Sequence, residues 1–135
     1  MEFADNYKLK ILLVDDNTIN QFLGKKVFLK LGYEIDLANN GMEAVDYCKT
    51  TDCDLIFMDI QMPVLDGIEA AKVILSKEGK KPIIVAITAS LFETDKAKCL
   101  EVGMLDTLVK PFKIEDLKST IEKFFKKSSI LSNPS

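Results

Sequence analysis

Five polar side chains in this sequence could together bind and transfer a phosphoryl group. They follow the ends of four short apolar runs. The first run is followed by Asp15 and Asp16, the third by Asp59, the fourth by Thr88 and the fifth by Lys110. Three carboxylates at one site repel one another and need a cation. Mg²⁺ is the natural choice, because it prefers oxygen ligands and phosphate. The pattern therefore predicts a magnesium-dependent phosphate site.

Each of these residue types has a defined task in phosphoryl chemistry. An exposed Asp has a reference pKa of about 3.9, is ionised at neutral pH and can attack phosphorus without a general base. Lys110 offers a point charge and Thr88 a hydroxyl donor to phosphoryl oxygens. Transfer through a loose transition state requires positioning and charge neutralisation. A simpler interpretation of the first acidic pair is helix capping by Asp16, Asn17 or Thr18.

The composition excludes several other kinds of chemistry. The chain has 135 residues and no His, which excludes imidazole zinc ligands, Ser-His or Cys-His nucleophile pairs, and a His phosphoryl carrier. A formal net charge of -3 gives no reason to expect direct nucleic-acid binding. Three Cys residues without CxxC spacing suit a reducing compartment. Without a long apolar run or a signal peptide, we expect no membrane insertion and a cytoplasmic location.

Short apolar runs alternate with stretches of helical spacing, which predicts an α/β fold with a doubly wound parallel sheet. The five runs lie at residues 11–14, 35–37, 55–58, 83–87 and 108–109. The run at 35–37 alternates in polarity and is predicted to be an edge strand, whereas the other four are interpreted as central strands. The carboxyl ends of parallel strands share one edge, where ligands bind, so the polar residues should converge there.

Apolar residues at helical spacing predict a helix after the first strand and another at the end of the domain. The first stripe consists of Ile19, Phe22, Leu23, Val27 and Leu31. The last stripe consists of Ile114, Leu117, Ile121, Phe124 and Phe125. Gly32 stands where the C-terminal cap of the first helix belongs. The cysteines sit among apolar residues and are interpreted as packing residues; they are Cys48, Cys53 and Cys99.

Four motifs resemble the receiver domain of two-component response regulators, over about residues 9–126. They are LLVDDN, MDIQMPVLDG, AITAS and LVKPF. The phrases VDDNTIN and CLEVGM further resemble receivers of hybrid sensor histidine kinases and phosphorelays. The resemblance implies a flavodoxin-like, five-stranded parallel sheet of order 2-1-3-4-5 with five helices. On this basis we predict an N-terminal extension at 1–8, a receiver at 9–126 and a flexible tail at 127–135.

The resemblance also assigns the phosphoacceptor and the metal ligands. Asp59 would accept a phosphoryl group from a phosphohistidine on a sensor histidine kinase or a histidine phosphotransfer protein. Asp16 and Asp59 would ligate Mg²⁺ directly, with the backbone carbonyl of Gln61 as a further ligand. Asp15 would act mainly through water. The product would be a changed protein-interaction surface rather than a free metabolite, so turnover catalysis is not expected.

Further residues would bind the phosphoryl group and transmit its presence. Thr88 would swing toward the group and Lys110 would pair with its oxygens, while Pro111 follows through a peptide bond that is usually cis in the family. Many receivers carry an inward-turning aromatic where this chain has Thr107, so we predict a weakened or rerouted readout. Two positions would tune the lifetime of the acyl phosphate, namely Gln61 and Ser90.

Three rival functions remain as alternatives. An Asp-nucleophile phosphohydrolase resembling haloacid dehalogenases needs a second acid two positions after the nucleophile, where this chain has Gln61, and a cap domain does not fit in 135 residues. A flavin or nucleotide module would need a Gly-rich or hydroxyl-rich phosphate loop after the first strand, where the carboxylates of DDNTIN would repel phosphate unless a metal intervened. A pseudo-receiver would bind a protein without phosphorylation, and the complete set of polar residues argues against it.

Overall fold

Strands and helices alternate along the chain, as the apolar runs predict. The computed structural model describes residues 3–60, 67–88, 93–110 and 112–125. The strands are β1 (Ile11–Val14), β2 (Asp36–Ala38), β3 (Leu55–Asp59), β4 (Ile83–Thr88) and β5 (Asp106–Val109). The helices are α1 (Phe3–Asn6), α2 (Thr18–Leu31), α3 (Gly41–Thr50), α4 (Gly67–Leu75), α5 (Glu93–Val102) and α6 (Ile114–Phe125).

The five strands form one parallel sheet of order β2-β1-β3-β4-β5, which confirms the predicted order. β1 and β3 are buried along their whole length, because helices cover both faces of the sheet. The edge position of β2 is also confirmed. The interpretation of the fifth run as a central strand is wrong, since β5 forms the other edge and its residues are only partly buried or exposed.

Two hydrophobic cores lie on the two faces of the sheet, so the fold is doubly wound. Alternate strand residues point to opposite faces, and Leu12 and Ile56 contribute to one core while Leu13 and Phe57 contribute to the other. The first core contains residues of α3, α4 and α5, and the second contains residues of α2 and α6. The polar ends of the strands emerge between these two layers.

The ends of α2 follow the sequence signals, but its buried face does not follow the apolar stripe. Asn17 caps the helix by accepting a hydrogen bond from the Asn20 backbone N–H. Gly32 ends it in the left-handed conformation at φ 97°, as predicted. The buried positions are Gln21, Gly24, Phe28 and Leu31. Three residues of the predicted stripe are exposed, with fractions of 68% at Ile19, 58% at Phe22 and 54% at Leu23.

The segment before β1 contains a short helix, α1, that the sequence did not predict, so the described residues form six helices rather than five. Phe3 stacks on Tyr7 with 4.8 Å between ring centroids and packs edge-on against Tyr33. The Tyr33 hydroxyl donates to the Tyr7 carbonyl. These contacts place α1 on the core formed with α2 and α6. The predicted tail at 127–135 lies outside the described residues.

The predicted stripe of α6 is confirmed. Leu117 and Ile121 are fully buried, and the other three apolar residues of the stripe are partly buried at the margin of the same core. The three cysteines are buried within the hydrophobic layers, as their apolar neighbours predict. Among the described residues, none of the helices combines the length and the apolar character that crossing a bilayer requires.

Candidate functional site

The carboxyl edge of the sheet brings together the five polar residues that the sequence singles out. Asp59 is the last residue of β3 and Thr88 the last of β4, while Asp15 and Lys110 directly follow β1 and β5. Carboxylate oxygens of Asp15, Asp16 and Asp59 lie within 4.8 Å of one another. The predicted convergence is therefore present, since adjacent parallel strands end at the same edge.

Lys110 is the cation of this cluster. Its Nζ lies 3.0 Å from Asp59 Oδ2 and 3.1 Å from Asp15 Oδ2. The backbone fixes the start of this side chain, because the Lys110 N–H donates to the Thr88 carbonyl at 2.8 Å. One ammonium group thus bridges two carboxylates from non-adjacent positions of the chain.

Burial makes this ion pair more than a surface contact. The exposed fraction is 3% for Asp15 and 4% for Asp59, and Thr88 is also buried, whereas Asp16 faces solvent. Burial by itself lowers the pKa of Lys110, but the hydrogen bonds and charges of Asp59 and Asp15 outweigh it and raise that pKa above its ordinary value. Asp59 is therefore a buried carboxylate paired with a cation, and not the exposed Asp that the sequence argument assumed.

The loop after β1 holds Asp15 through its backbone as well as its side chain. The Asp15 N–H extends the pairing of β1 with β2 by donating to the Ala38 carbonyl at 3.1 Å. Asp15 Oδ1 accepts from the Asn17 N–H at 2.9 Å, and the Asp15 carbonyl accepts from Gln21 Nε2 at 2.6 Å. Gln21 also donates to Asn39 Oδ1 at 2.8 Å. Gln21 thereby joins the loops that follow β1 and β2.

Sequence reasoning missed Gln21 and Gly67 as positioning residues. The signal for Gln21 was that this polar residue lies on the same helix face as the apolar Phe28. Gly67 begins α4 directly against the end of β3, where an added Cβ would lie 2.2 Å from the Asp59 carbonyl oxygen. The signal for Gly67 was a Gly at the start of a helix, where a close backbone approach excludes a side chain.

A cavity of about 220 Å³ opens beside the ion pair, between α2 and the segment after β5. Asp15 and Lys110 form its polar end, and Leu13, Leu23, Val27 and Phe112 form most of its apolar wall. Phe112 packs on Phe57, with 6.3 Å between ring centroids. The acidic cluster is thus bordered by an apolar depression on the α2 side.

Three predicted site residues lie outside the described residues, and these are Gln61, Ser90 and Pro111. Thr107 lies within β5, opposite Ala86 in the register, and is partly buried. Its N–H donates to Asp106 Oδ1 at 2.8 Å, and Asp106 Oδ2 pairs with Lys123 at 3.2 Å. The proposed role of Thr107 in the readout stays a prediction.

The donor set fits a hard divalent cation. Three carboxylates face one ammonium group, which leaves an excess of negative charge at a site built from oxygen ligands. Mg²⁺ is bound in proteins by one or two carboxylates together with water and phosphate oxygens. The exposed side chain of Asp16 leaves one carboxylate of the cluster accessible from solvent.

Most of the chain matches a known protein family. Residues 11–122 match the family described as the response regulator receiver domain. The chain belongs to this family. It is a receiver of two-component signalling, with the five-stranded fold and strand order that the resemblance implies.

Two curated relatives illustrate where similar receivers occur. The chain is 44% identical over 120 residues to hybrid signal transduction histidine kinase B of Dictyostelium discoideum, and this match covers 80% of the chain. The receiver spans only 6% of that kinase's length. The chain is also 39% identical over 117 residues to two-component response regulator 24 of Arabidopsis thaliana, and this match covers 86% of the chain and 84% of the relative.

Two solved receivers resemble the structure closely. The receiver domain of Saccharomyces cerevisiae Ssk1, crystallised with the histidine phosphotransfer protein Ypd1, has a TM-score of 0.81 and 37% identity, covering 91% of this chain and 92% of that one. The receiver domain of a Pseudomonas aeruginosa sensor histidine kinase has a TM-score of 0.79 and 38% identity, and the match covers 86% of this chain and 96% of that one. That structure holds a magnesium ion in its active-site cleft.

Proposed function

We propose that this receiver accepts a phosphoryl group on Asp59 from a phosphohistidine of a partner protein, in a reaction that depends on Mg²⁺. The observation that carries the proposal is the position of Lys110 Nζ, 3.0 Å from Asp59 Oδ2 and 3.1 Å from Asp15 Oδ2, inside a cluster of three carboxylates. This arrangement places a nucleophilic oxygen of Asp59 beside the positive charge of Lys110, which would stabilise the negative charge of a transferring phosphoryl group.

In the proposed reaction, an Asp59 carboxylate oxygen attacks phosphorus. The new O–P bond forms as the bond from phosphorus to the partner's imidazole nitrogen breaks, and its electron pair returns to that nitrogen. Lys110 then neutralises a phosphoryl oxygen, and the Thr88 hydroxyl donates to another. Attack of water on the same phosphorus later releases phosphate and restores the Asp59 carboxylate.

Asp15, Asp16 and Asp59, with the backbone carbonyl of Gln61, would hold the magnesium ion. When bound, the ion offsets the negative charge of the carboxylates and of the transferring group. The oxygen-rich donor set supports this assignment, as does the magnesium ion in the similar Pseudomonas receiver. Asp15, which also pairs with Lys110, would act mainly through water.

Phosphorylation is proposed to change a protein-interaction surface, with one phosphoryl group transferred per cycle and no turnover of a free metabolite. Thr88 and Lys110 would contact the group directly. Thr107 replaces the usual aromatic and would weaken or reroute the readout, and Pro111 would follow Lys110 through the peptide bond that is usually cis in the family. Gln61 and Ser90 would set the acyl phosphate's lifetime.

The phosphoryl donor is proposed to be a sensor histidine kinase or a histidine phosphotransfer protein. An apolar surface beside the site supports a protein donor: Ile19, Phe22 and Leu23 are all more than half exposed on the first turns of α2, the helix that begins two residues after Asp16. The similarity to hybrid histidine kinases and to the receiver crystallised with Ypd1 supports the same assignment. The cysteine usage favours a cytoplasmic location.

The intact mass of the chain after incubation with acetyl phosphate tests the acceptor. We expect a phosphoryl adduct that requires Mg²⁺, is removed by hydroxylamine and is absent from Asp59→Asn. Asp46→Asn is the matched control, because Asp46 is an exposed acid on α3 that pairs only with nearby Lys49 among the described salt bridges. An adduct of equal yield on Asp59→Asn would contradict the proposal.

A phosphorylated histidine phosphotransfer protein tests the donor surface separately. Phe22→Ala should slow transfer from that protein and leave the yield from acetyl phosphate unchanged, because the small donor does not contact α2. Leu29→Ala is the matched control, since Leu29 is exposed on the same helix but near its other end. Equal slowing in both variants would assign the effect to the helix as a whole rather than to the surface beside the site.

A further inference from the structure

Each partner of the ion pair between Lys110 and Asp59 has a phenylalanine two residues away in the sequence. Phe57 stands two residues before Asp59 in β3, and Phe112 stands two residues after Lys110. Their rings stack with 6.3 Å between centroids and 26° between ring planes. Phe57 is fully buried and Phe112 is partly buried. A shift of Lys110 relative to Asp59 therefore moves apart or together the two backbone segments that carry these rings.

A series of ring contacts leads from this pair across α2 to the N-terminal helix α1. Phe28 of α2 packs on both rings, with 5.4 Å between its centroid and that of Phe57 and 6.3 Å to that of Phe112. Phe28 also packs edge-on against Tyr33 at 6.5 Å, and Tyr33 packs edge-on against Phe3 of α1 at 6.4 Å. We call these five residues the aromatic network. Each of its rings contacts the next, from the ion pair to α1.

The helix α1 is weakly held at the far end of this network. It has four residues, which are too few for a helix to be stable alone, and none of them is fully buried. The Phe3 ring has the ammonium of Lys118 5.7 Å from its centroid, and the Tyr33 hydroxyl donates to the Tyr7 carbonyl. Elements with few buried contacts open at a low cost in free energy. The docking of α1 therefore depends on where the Phe3 and Tyr33 rings lie.

We propose that phosphorylation of Asp59 is transmitted through the aromatic network and releases α1, so that the N-terminal segment reports the state of the site. This readout rests on the proposed function. Lys110 Nζ now bridges Asp59 and Asp15, and a phosphoryl group on Asp59 would draw it away from that position. Because Phe112 is only two residues further along the chain, its ring would shift with the Lys110 backbone.

Close packing makes the network sensitive to such a shift. Phe28 is fully buried against both Phe57 and Phe112, so it cannot keep its position when Phe112 moves. The Tyr33 ring, which packs on Phe28, must then adjust, and with it the hydroxyl and ring contacts that hold α1. This route needs no aromatic side chain in β5, where the chain has Thr107.

NMR of the full chain tests the release of α1. Beryllofluoride with Mg²⁺ serves as the phosphoryl mimic, and Mg²⁺ alone is the reference. The backbone amide signals of Phe3 and Tyr7 should move toward the values that they have in urea, as the equilibrium between docked and released α1 shifts by about five-fold or more. Phe112→Leu should reduce this movement, because it removes the ring stack on Phe57, while fluorine NMR still detects bound beryllofluoride.

Thermodynamic linkage requires the reverse effect, which Phe3→Ala tests. Loss of the Phe3 ring releases α1 in advance, so binding of the mimic no longer has to displace it. We expect this variant to bind beryllofluoride about five-fold more tightly than the unmodified chain. Phe124→Ala is the matched control, because Phe124 lies at the margin of the same core but outside the aromatic network. Its affinity for beryllofluoride should be unchanged, with circular dichroism showing that both variants are folded.

Two results would overturn the readout through α1 and leave the proposed function intact. One is an occupied site with unchanged Phe3 and Tyr7 signals, and the other is a Phe3→Ala variant that binds beryllofluoride no more tightly than the unmodified chain. A site that neither binds beryllofluoride nor forms an adduct with acetyl phosphate would contradict the proposed function, and the readout together with it.

Discussion

Gly67 and Asp59 are in backbone contact, so the first residue of α4 packs directly on the last residue of β3. A Cβ at position 67 would lie 2.2 Å from the Asp59 carbonyl oxygen and 2.7 Å from the Ile60 Cα. Both atoms belong to the backbone of a buried segment and cannot move aside as a flexible side chain can. The absence of a side chain at Gly67 therefore helps to fix the position of Asp59, the proposed phosphoacceptor.

Gly67→Ala should lower both stability and phosphorylation, because α4 must move away from β3 to accommodate the methyl group. We expect a loss of about 1 to 3 kcal/mol in the free energy of unfolding, measured by urea titration, with a slower reaction with acetyl phosphate. Gly24→Ala is the comparison. There the added Cβ meets the movable Leu13 Cδ2 at 2.7 Å, so the effect should be smaller. A greater loss in Gly24→Ala would contradict this explanation.

Lys110→Met should make the protein more dependent on magnesium for its stability. Removal of the ammonium takes away the cation that pairs with the buried carboxylates of Asp15 and Asp59, which costs about 3 to 5 kcal/mol when no other cation replaces it. We expect a lower melting temperature without Mg²⁺, a larger rise on addition of Mg²⁺ than in the unmodified chain, and a strongly reduced yield of the phosphoryl adduct.

Lys123→Met is the control for that measurement, since Lys123 pairs with Asp106 at an exposed position away from the acidic cluster. An exposed pair contributes about 0 to 1 kcal/mol, so this change should alter stability little and leave the magnesium effect as it is. An identical magnesium response in Lys110→Met and the unmodified chain would show that Lys110 does not share its carboxylates with the metal.

Gln21→Leu should destabilise the loops that follow β1 and β2, because Gln21 Nε2 bonds to both Asp15 and Asn39. A buried carbonyl that loses its donor costs about 1 to 3 kcal/mol. Thermal unfolding should detect this loss, while Lys25→Leu on the exposed side of the same helix should not show it. Equal melting temperatures for both variants would remove Gln21 from the positioning residues.

Tyr33→Phe should change how stability depends on alkaline pH. Burial, with a smaller contribution from Tyr7, raises the pKa of Tyr33 from 10.0 to about 12 in the folded chain. The folded state then holds a proton that the unfolded state releases, so this contribution to stability is complete below pH 10 and is lost as the pH rises to about 12. The unfolding free energy of the unmodified chain should fall more steeply over that interval than that of Tyr33→Phe. Parallel curves for the two proteins would contradict the assignment.

The sequence predicted the sheet and the site because both depend on strong local patterns. Continuous apolar runs mark the buried strands, and parallel strands bring their carboxyl ends together whatever the details of packing. Asp15, Asp59, Thr88 and Lys110 therefore converge as expected. The family motifs added the strand order, which periodicity alone does not determine.

The sequence was less informative where tertiary contacts override hydrophobicity. On α2, the buried face includes Gln21 and Gly24, whose burial depends on a hydrogen bond to Asp15 and on close packing against Leu13. No hydrophobic pattern selects such residues. The four-residue helix α1 is too short to show periodicity, and its place depends on ring contacts of Phe3 with residues more distant in the sequence.

The unequal burial of the three carboxylates gives the site a direction of approach. Asp16 is exposed, whereas Asp15 and Asp59 are buried and both pair with Lys110, whose side chain is 23% exposed. For the proposed reaction we expect a phosphohistidine to approach from the side of Asp16 and the first turn of α2. In the proposed transfer, the choice of donor would therefore depend on the shape and polarity of the surface around Asp16.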